Sequence, residues 1–514
     1  MYTIWRPGGQ PLCVEVPMAS NARARRTTGA KPPPERGLEA FRDLERWLGS
    51  ESSQRLGLLG VERETECRGQ EILRLLLQEH IDRRGTGDGH AAIRVLSPDG
   101  NSLLYSHRRL STRRLLTVFG EVSVTRMGYG LPGRRWIHPL DAELQLPERV
   151  YSYEVQRRLV KAAVQGPFDE AIGMLADLNG TLVPKRSAEQ IVLDASVDFE
   201  AFYEERRTWE CDEGDQLLVA AIDCKGIPMV KSEPAVETVR LRKGQKRQKK
   251  RMATVAAVFF QAPEPRAPEQ VVQSLFTSGK PALKKRQRQQ RPRPRSKRLW
   301  ASLTAGKTDF IVGARSEMLR RDPERLLPWV IVTDGERALQ KRVCALFEDV
   351  TLVLDLLHVL EKLWKAAHTL HPEGSPEAQS FVRDRTLRIL RGNVGQVVKG
   401  LRQMVTKRGL QGSKKKALSD AAAYFYRNRD RMRYDVYLEK GWPIASGSVE
   451  GACKNLVKDR MERSGMRWTE PMAEAMLRLR AVHLSGDFEE YWDFHVRQDL
   501  LRIYPDNLWS VVAE

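Results

Sequence analysis

Short runs of consecutive apolar residues mark the middle of the chain. Leu217–Asp223, Trp329–Thr333 and Thr351–Leu354 are almost entirely apolar until each run meets an aspartate. Continuous apolar runs of this length are typical of strands that are buried on both faces of a sheet. Residues 227–230 and 253–260 have the same character and are predicted to extend the sheet as antiparallel neighbours.

Helical spacing of apolar residues separates and follows these runs. Residues 309–320 and 336–347 are predicted helices that alternate with the last two strands. Three strands, then helix, strand, helix and strand, is the order of the ribonuclease-H-like fold. A long helical pattern over 358–445 is predicted to be an all-helical insertion, with the core assigned to 211–357 and 446–514. We therefore predict a multidomain protein of mixed α and β structure with an α/β ribonuclease-H-like core.

The amino-terminal part of the chain divides into regions of different pattern. Residues 1–36 are rich in proline, glycine and arginine and are predicted to be flexible. Residues 37–150 combine a helical stretch with two predicted β-hairpins, which turn near Gly100 and Gly120.

Residues 151–210 contain three predicted helices, over 152–165, 168–178 and 184–203. A helix, a turn with glycine and a following helix resemble a helix-turn-helix, whose last helix enters the major groove of DNA. The candidate base-reading residues at the start of the third helix are Lys185, Arg186 and Gln190. An ordinary helical hairpin with a solvated polar face would have the same pattern.

The net charge of the chain indicates what kind of partner it binds. Lys and Arg number 86 against 66 Asp and Glu, which gives a net charge of +20 and favours a polyanion, most simply nucleic acid. Two stretches, 241–251 and 281–298, are basic and nearly free of apolar residues, and are predicted to be loops that contact phosphates. The contacts predicted in the second loop are Lys284, Lys285, Arg286 and Arg288. The alternative is a solvated charged loop.

Cysteine spacing and hydropathy place the chain in a reducing, aqueous compartment. Its six cysteines form no C-x-x-C pair, which argues against a structural zinc site and a disulfide framework. The chain has no apolar run long enough to span a membrane, and its first residues lack the apolar segment of a secretory signal. We expect a soluble, intracellular protein without a membrane partner.

Two aspartates carry the candidate chemistry. Asp223 and Asp334 follow apolar runs that are predicted to be adjacent strands, so their carboxylates can lie within about 5 Å of each other. Two such carboxylates are compatible with a pair of Mg²⁺ ions about 3.5–4 Å apart, the arrangement that cuts and joins phosphate backbones. A single aspartate after a strand is more often a helix N-cap.

A third acid follows the helical insertion. Glu450 is predicted to lie in the first turn of a helix capped by Ser446 or Ser448, and its carboxylate would complete the site. Lys454 and Lys458 follow at one and two turns and are predicted to contact DNA. Alternatively, Glu450 only pairs with Lys454 on the helix surface.

Several motifs, in order, resemble those of one family. IVTDGERAL, VLDLLHVLEKLWKAA, PIASGSVEGACKNLVKDRMERSGMRW and DFEEYWDFHV look like the DDE transposases of the bacterial ISKra-type insertion sequences. FGEVSVTRMGY, HPLDAELQLPERVYSYEVQRR and DFEAFYEERR resemble the amino-terminal half of the same family, so the resemblance covers residues 100–500 approximately. Cys224 departs from it, because a glycine is expected after the first aspartate.

The resemblance implies a function and its residues. The catalytic and metal-binding triad would be Asp223, Asp334 and Glu450, with Asp355 and His358 as a supporting pair. Mg²⁺ is the implied cofactor, with Mn²⁺ as a substitute, and the partners are duplex DNA at element ends and targets. The implied protein is a homodimer or larger homo-oligomer in the bacterial cytoplasm, associated with the nucleoid.

Two other functions are compatible with the same sequence. A structure-specific nuclease would need the same acids but would only hydrolyse DNA. A DNA-binding repressor or architectural protein would have lost catalysis, and this predicts an eroded acid, whereas all three acids are present.

Overall fold

The computed structural model describes residues 3–5, 11–13, 35–96, 102–206, 216–230, 250–276, 292–445, 451 and 453–505. These residues belong to two compact units. The first contains the described residues of Met1–Ile93 together with Tyr105–Arg114 and Glu121–Leu140, and the second contains those of Arg94–Leu104, Leu115–Gly120 and Asp141–Glu514.

Helices and a hairpin build the first unit. Its helices are α1 (Arg36–Leu48), α2 (Glu51–Gln54) and α3 (Leu58–Arg83). The backbone amide of Gly37 donates to Glu79 Oε1 at 2.8 Å and ties α1 to α3. Gln78 of α3 exchanges two hydrogen bonds with the backbone of Ser123, both 2.8 Å long, so α3 is fixed to the second strand of the hairpin.

Three two-stranded pairings lie in the amino-terminal part of the chain. The strands are β1 (Thr3–Trp5), β2 (Pro11–Cys13), β3 (Ile93–Leu96), β4 (Ser102–Tyr105), β5 (His107–Thr117) and β6 (Gly120–Gly130). β1 pairs with β2, β3 with β4, and β5 with β6. These pairings agree with the two hairpins that the alternation predicted, although the turn predicted near Gly100 lies outside the described residues.

Five helices follow β6 along the chain. They are α4 (Pro139–Glu143), α5 (Tyr153–Ala163), α6 (Phe168–Asn179), α7 (Lys185–Ala195) and α8 (Phe199–Glu205). The single helix predicted over 184–203 is wrong, because the chain breaks between α7 and α8. Residues distant in sequence stabilise this break: the buried carboxylate of Asp198 lies 2.7 Å from His495 Nδ1 and 2.6 Å from Arg502 Nη1.

A five-stranded mixed sheet forms the centre of the second unit. Its strands are β7 (Leu217–Pro228), β8 (Lys250–Gln261), β9 (Arg295–Ser302), β10 (Trp329–Thr333) and β11 (Thr351–Leu354). The spatial order is β11-β10-β7-β8-β9, with β10 parallel to β7 and β11, and β8 antiparallel to β7 and β9. The predicted strands at 253–260, 329–333 and 351–354 are confirmed, and the apolar run after residue 216 is the central strand.

Two strand predictions need correction. β7 does not end at Asp223 but continues to Pro228, so 227–230 is not a separate antiparallel strand. The reason lies in the pairing of β7 on its two sides. On one side β10 ends opposite Ile222, but on the other side β8 stays paired with β7 up to Pro228, which lies opposite Lys250.

The predicted basic loops also end earlier than expected. Arg295–Arg298 form the start of β9, because Arg298 is buried and its guanidinium pairs with the buried carboxylate of Glu317. At the other loop, Lys250 and Arg251 already belong to β8 and pair with Glu462 and Glu470. Residues 241–249 and 281–291 lie outside the described residues, and so do Lys284, Lys285, Arg286 and Arg288.

Helices pack around the sheet and then form a separate helical stretch. Along the chain, the strands from β8 to β11 are separated by α9 (Pro268–Phe276), α10 (Lys307–Arg321) and α11 (Arg337–Leu346). After β11 come α12 (Leu356–Leu370), α13 (Pro376–Leu390), α14 (Val394–Lys407), α15 (Gly412–Asn428), the 3₁₀ turn Arg429–Arg431 and α16 (Tyr434–Glu439). The amide of Leu356 donates to the carbonyl of Ile444 at 2.9 Å, so this stretch ends beside the point where it began.

The described chain closes with further helices. A π-helix, Cys453–Lys458, runs into the short turns Asp459–Met461 and Arg463–Gly465, followed by α17 (Glu470–Ser485) and α18 (Phe488–Ile503). Leu456, Val457 and Met461 are buried in the same hydrophobic core as the sheet. Over the described ranges, no helix has the length and hydropathy needed to cross a membrane.

Candidate active site

Asp223 and Asp334 lie at matching positions on the two parallel central strands. Thr333, the last residue of β10, pairs with Ile222 of β7, and the two aspartates are the next residues on each strand. Neighbouring strands are about 4.8 Å apart. The two aspartates therefore lie next to each other at the point where β10 ends, while β7 continues in its pairing with β8. Both side chains are half-buried.

Backbone amides orient both carboxylates. The amide of Cys224 donates to Asp223 Oδ1 at 2.7 Å, and the amide of Glu336 donates to Asp334 Oδ1 at 2.8 Å. The chain can turn sharply after Asp334 because Gly335 has a φ of 86°, in the left-handed region that glycine favours.

The charge of Asp334 is unfavourable in the protein alone. Burial raises the pKa of this carboxyl above its ordinary value, and the negative charge of Asp223 raises it further. The hydrogen bond from the Glu336 amide and the nearby His358 act in the opposite direction without cancelling the rise. A cation between the two aspartates would remove this cost.

A lysine–glutamate pair beside the aspartates was not anticipated from the sequence. Lys307 Nζ lies 2.6 and 2.8 Å from the two carboxylate oxygens of Glu336, and Cys224 Sγ lies 3.8 Å from Glu336 Oε2. Burial raises the pKa of the Cys224 thiol to about 11, so the residue that departs from the expected glycine is a neutral thiol at pH 7. Glu336 could be noticed in the sequence because it follows Asp334 closely in the motif TDGE. No local pattern points to Lys307 as its partner.

Two tyrosines of the helical stretch hold the ends of the strands. Tyr424 Oη of α15 donates to the carbonyl of Asp334 at 2.8 Å, and Tyr434 Oη of α16 donates to the carbonyl of Leu354 at 2.7 Å. A Cβ on Gly335 would lie 2.5 Å from Tyr424 Oη. The absence of a side chain at Gly335 thus permits both the tight turn and the close approach of α15.

Asp355 and His358 lie at the start of α12. Asp355 is 2% exposed and caps the helix by accepting from the amide of Leu357 at 2.8 Å. Its own amide donates to the carbonyl of Thr333 at 2.9 Å, which places it beside the end of β10. His358 is half-buried, with Nδ1 3.6 Å from Glu361 Oε2. His358 interacts electrostatically with Asp334, so the pair adjoins the aspartates.

The third acid predicted for the site, Glu450, lies outside the described residues, together with Ser446 and Ser448. The residues on either side are placed: Ile444 bonds to the start of α12, and Lys454 and Lys458 are exposed on the π-helix that packs against β7.

The donor chemistry of the two aspartates fits Mg²⁺ or Mn²⁺. Carboxylate oxygens are the ligands these hard cations prefer, and Mg²⁺ is commonly held by one or two carboxylates together with waters and substrate phosphates. Within the described part of the chain, no group of three or more His, Cys, Asp or Glu is arranged to hold a metal.

The residues predicted to read DNA lie apart, on the exposed start of α7. Lys185, Arg186 and Gln190 are exposed. Lys185 Nζ lies 2.9 Å from Asp169 of α6, and Gln190 Nε2 donates to Asp194 at 2.9 Å. These two side chains therefore have weak surface partners, which a nucleic acid could replace.

The raised pKa of Asp334 predicts how metal and pH affect folding. Between the ordinary pKa and the raised one, the native state binds more protons than the unfolded state, so wild-type stability falls as pH rises through that window. In EDTA, Asp334→Asn should lack this loss, and Mg²⁺ should stabilise the wild type but not the variant. Denaturant titrations across pH measure both effects, with Asp384→Asn, at an exposed position of α13, as a control. Equal stabilisation of all three proteins by Mg²⁺ would contradict a metal at Asp334.

Comparison with known proteins shows a distant likeness to solved structures. No family model and no curated protein matches this sequence. Among solved structures, the chain is similar to "Drosophila P element transposase strand transfer complex", with 11% identity over 69% of this chain and 93% of that chain and a TM-score of 0.25. A TM-score of that size does not establish a common fold, so the interpretation of this chain depends on its own strand order and its own carboxylates.

Proposed function

We propose that this chain is a DNA transposase of the DDE type, which cuts and joins DNA by metal-dependent phosphoryl transfer. One observation carries the proposal: two half-buried carboxylates, Asp223 and Asp334, stand at matching positions on the central strand and its parallel neighbour. The raised pKa of Asp334 supports it, because the pair is arranged at a cost that a bound cation would offset.

The order of the strands supports the same proposal. Numbered along the chain, the sheet runs fifth, fourth, first, second and third, with the second strand antiparallel to its neighbours. This order is consistent with the ribonuclease-H-like fold that the sequence predicted. The motifs around Asp334 and after Ala445 resemble those of ISKra-type transposases, and we propose membership of that group on those motifs.

Asp223, Asp334 and Glu450 would hold Mg²⁺ in this proposal. Bound Mg²⁺ lowers the pKa of an attacking water or 3′-hydroxyl and stabilises the leaving oxygen of an in-line displacement. The protein's own contribution is orientation. The amides of Cys224 and Glu336 fix one oxygen of each aspartate, and Tyr424 fixes the carbonyl of Asp334. Lys307 places a cation beside them, partly neutralised by Glu336.

DNA would be bound by surfaces on either side of this site. Lys454 and Lys458 on the π-helix follow directly after the segment with Glu450, so we propose that they contact phosphates near the cut. Arg186, with Lys185 and Gln190, would read base edges from the start of α7. The second basic loop would add phosphate contacts through Lys284, Lys285, Arg286 and Arg288.

The test is a strand-transfer assay. Purified protein is incubated with Mg²⁺, a labelled duplex carrying the sequence that flanks the gene in its genome, and an unlabelled target plasmid. A transposase produces both nicks at the element end and labelled joints to the plasmid, and EDTA abolishes both. Nicks without joints would identify a nuclease instead, and binding without either product would identify a repressor.

A further inference from the structure

An open groove of about 520 Å³ lies between α14 and the end of α15. Three of the side chains that line it are cations, Lys399, Arg402 and Lys407, and none is acidic. All three are exposed, and none forms an ion pair with any residue the structure describes. The groove therefore presents positive charge with nothing of the described chain to neutralise it.

The segment around the groove is basic as a whole. Residues 394–431 contain ten Lys or Arg and two Asp. Both aspartates already have partners, since Asp420 lies 3.1 Å from Lys416 and Asp430 lies 3.6 Å from Arg429. The excess charge favours an anionic partner of some length over a single small anion.

An exposed tyrosine ring contacts two cationic side chains at the groove. Tyr426 is 51% exposed, and the guanidinium carbons of Arg402 and Arg429 lie 5.3 and 4.6 Å from its ring centroid. Stacking of this kind restrains the planar guanidinium groups while their N–H donors stay available. Guanidinium groups held in this way are well suited to paired hydrogen bonds with phosphate oxygens.

The spacing of the cations fits successive phosphates. Lys399 and Lys407 are separated by eight helical residues, about 12 Å along the axis of α14. Each strand of duplex DNA presents one phosphate for every 3.4 Å of helix axis, approximately, so the groove spans several of them. Because arginines cover the ring of Tyr426, a contact with the backbone is favoured over stacking of an unpaired base.

We infer that this groove binds the phosphate backbone of duplex DNA through Lys399, Arg402, Lys407 and Arg429. The inference rests on the proposed function only in taking DNA as the partner. Helix α15 connects the groove to the candidate acids, because it carries both Tyr426 and Tyr424, whose hydroxyl bonds to the carbonyl of Asp334. DNA held in the groove would thus contact the helix that also contacts the site.

The salt dependence of binding tests the inference. Binding of a labelled 30-base-pair duplex is measured in EDTA by fluorescence anisotropy at several salt concentrations, so that no cleavage is involved. The triple variant Lys399→Gln, Arg402→Gln, Lys407→Gln should lower the slope of log affinity against log salt by about 2.7, or about 0.9 per lost contact. A matched control removes three exposed cations elsewhere, Arg315→Gln, Lys365→Gln and Arg497→Gln, and should retain most of the slope.

Two further measurements separate the alternatives. Tyr426→Leu should weaken duplex binding about two- to fivefold, whereas Tyr426→Phe, which keeps the ring, should bind like the wild type. The inference would be overturned if the triple variant of the groove and the control variant had the same slope of log affinity against log salt, provided that both unfold at the wild-type temperature. Loss of polyglutamate binding with an unchanged duplex slope would assign the groove to an acidic protein and overturn it equally. Because EDTA prevents cleavage, failure of the catalytic proposal would leave these results unaffected.

Discussion

Replacing Asp223 or Asp334 by asparagine is expected to reduce both nicking and strand joining at least about a thousandfold. Metal-assisted displacement lowers the barrier by several kcal/mol, and each 1.36 kcal/mol corresponds to about tenfold in rate. Asparagine keeps the size of the side chain, so the amide contacts from Cys224 and Glu336 can be retained. Single-turnover assays with Mg²⁺ and a labelled element end measure the loss, and Glu450→Gln should behave in the same way.

Binding provides the control for this experiment. Removing a negative charge should leave duplex affinity unchanged or slightly increased, since DNA is an anion. The exposed acid Asp384 on α13, which pairs with Arg388 at the surface, is the matched site for a neutral substitution that keeps full activity. A variant of Asp223 or Asp334 that cut at the wild-type rate would remove that residue from the proposed site.

The second large effect is expected on stability, at Glu317. This carboxylate is 1% exposed and lies 2.8 Å from Arg321 and 2.9 Å from Arg320, and it also pairs with Arg298 of β9. Glu317→Gln would leave the buried guanidinium groups without a counter-charge, which costs about 3–5 kcal/mol. Urea titration at pH 7 measures the change. Asp384→Asn, which breaks an exposed pair, should cost at most about 0.5 kcal/mol.

Acid should remove the contribution of Glu317. Burial alone would raise its pKa, but the charges of Arg298 and Arg321 outweigh burial and lower it to about 2. A carboxyl with a depressed native pKa stabilises the fold above its unfolded value, near 4.5, and loses that contribution as pH falls towards 2. The difference in stability between wild type and Glu317→Gln should therefore shrink below pH 4.5. A difference that stayed constant with pH would contradict the ion network as its cause.

Apolar runs predicted the parts of the sheet that depend on local pattern. The strands at 253–260, 329–333 and 351–354 were recognisable because a buried strand needs continuous apolar residues. The end of β7 was not, since the polar residues from Asp223 to Gly226 stay in the sheet through pairing with β8. β9 was hidden by its basic start, which is compatible with burial only because Glu317 lies opposite Arg298.

In the candidate site, too, some features were predictable from local pattern and others were not. The matching positions of Asp223 and Asp334 were predictable, because each acid follows a continuous apolar run that is recognisable from local pattern. Lys307 and Tyr424 were not, since their partners Glu336 and the carbonyl of Asp334 are distant in sequence. Likewise, the break before α8 depends on Asp198 and its partners near the end of the chain. Contacts of this kind are set by packing rather than by local pattern.

The hydrogen bond between Leu356 and Ile444 has an evolutionary consequence. A segment whose two ends meet can be gained or exchanged in a single genetic event, because the surrounding sheet keeps its strands in register whatever lies between those ends. Descendants of one ancestor can then differ widely in the number of helices at this point while sharing the same five strands. For a chain built in this way, total length is a poor guide to kinship, and strand order with the two aspartates is a better one.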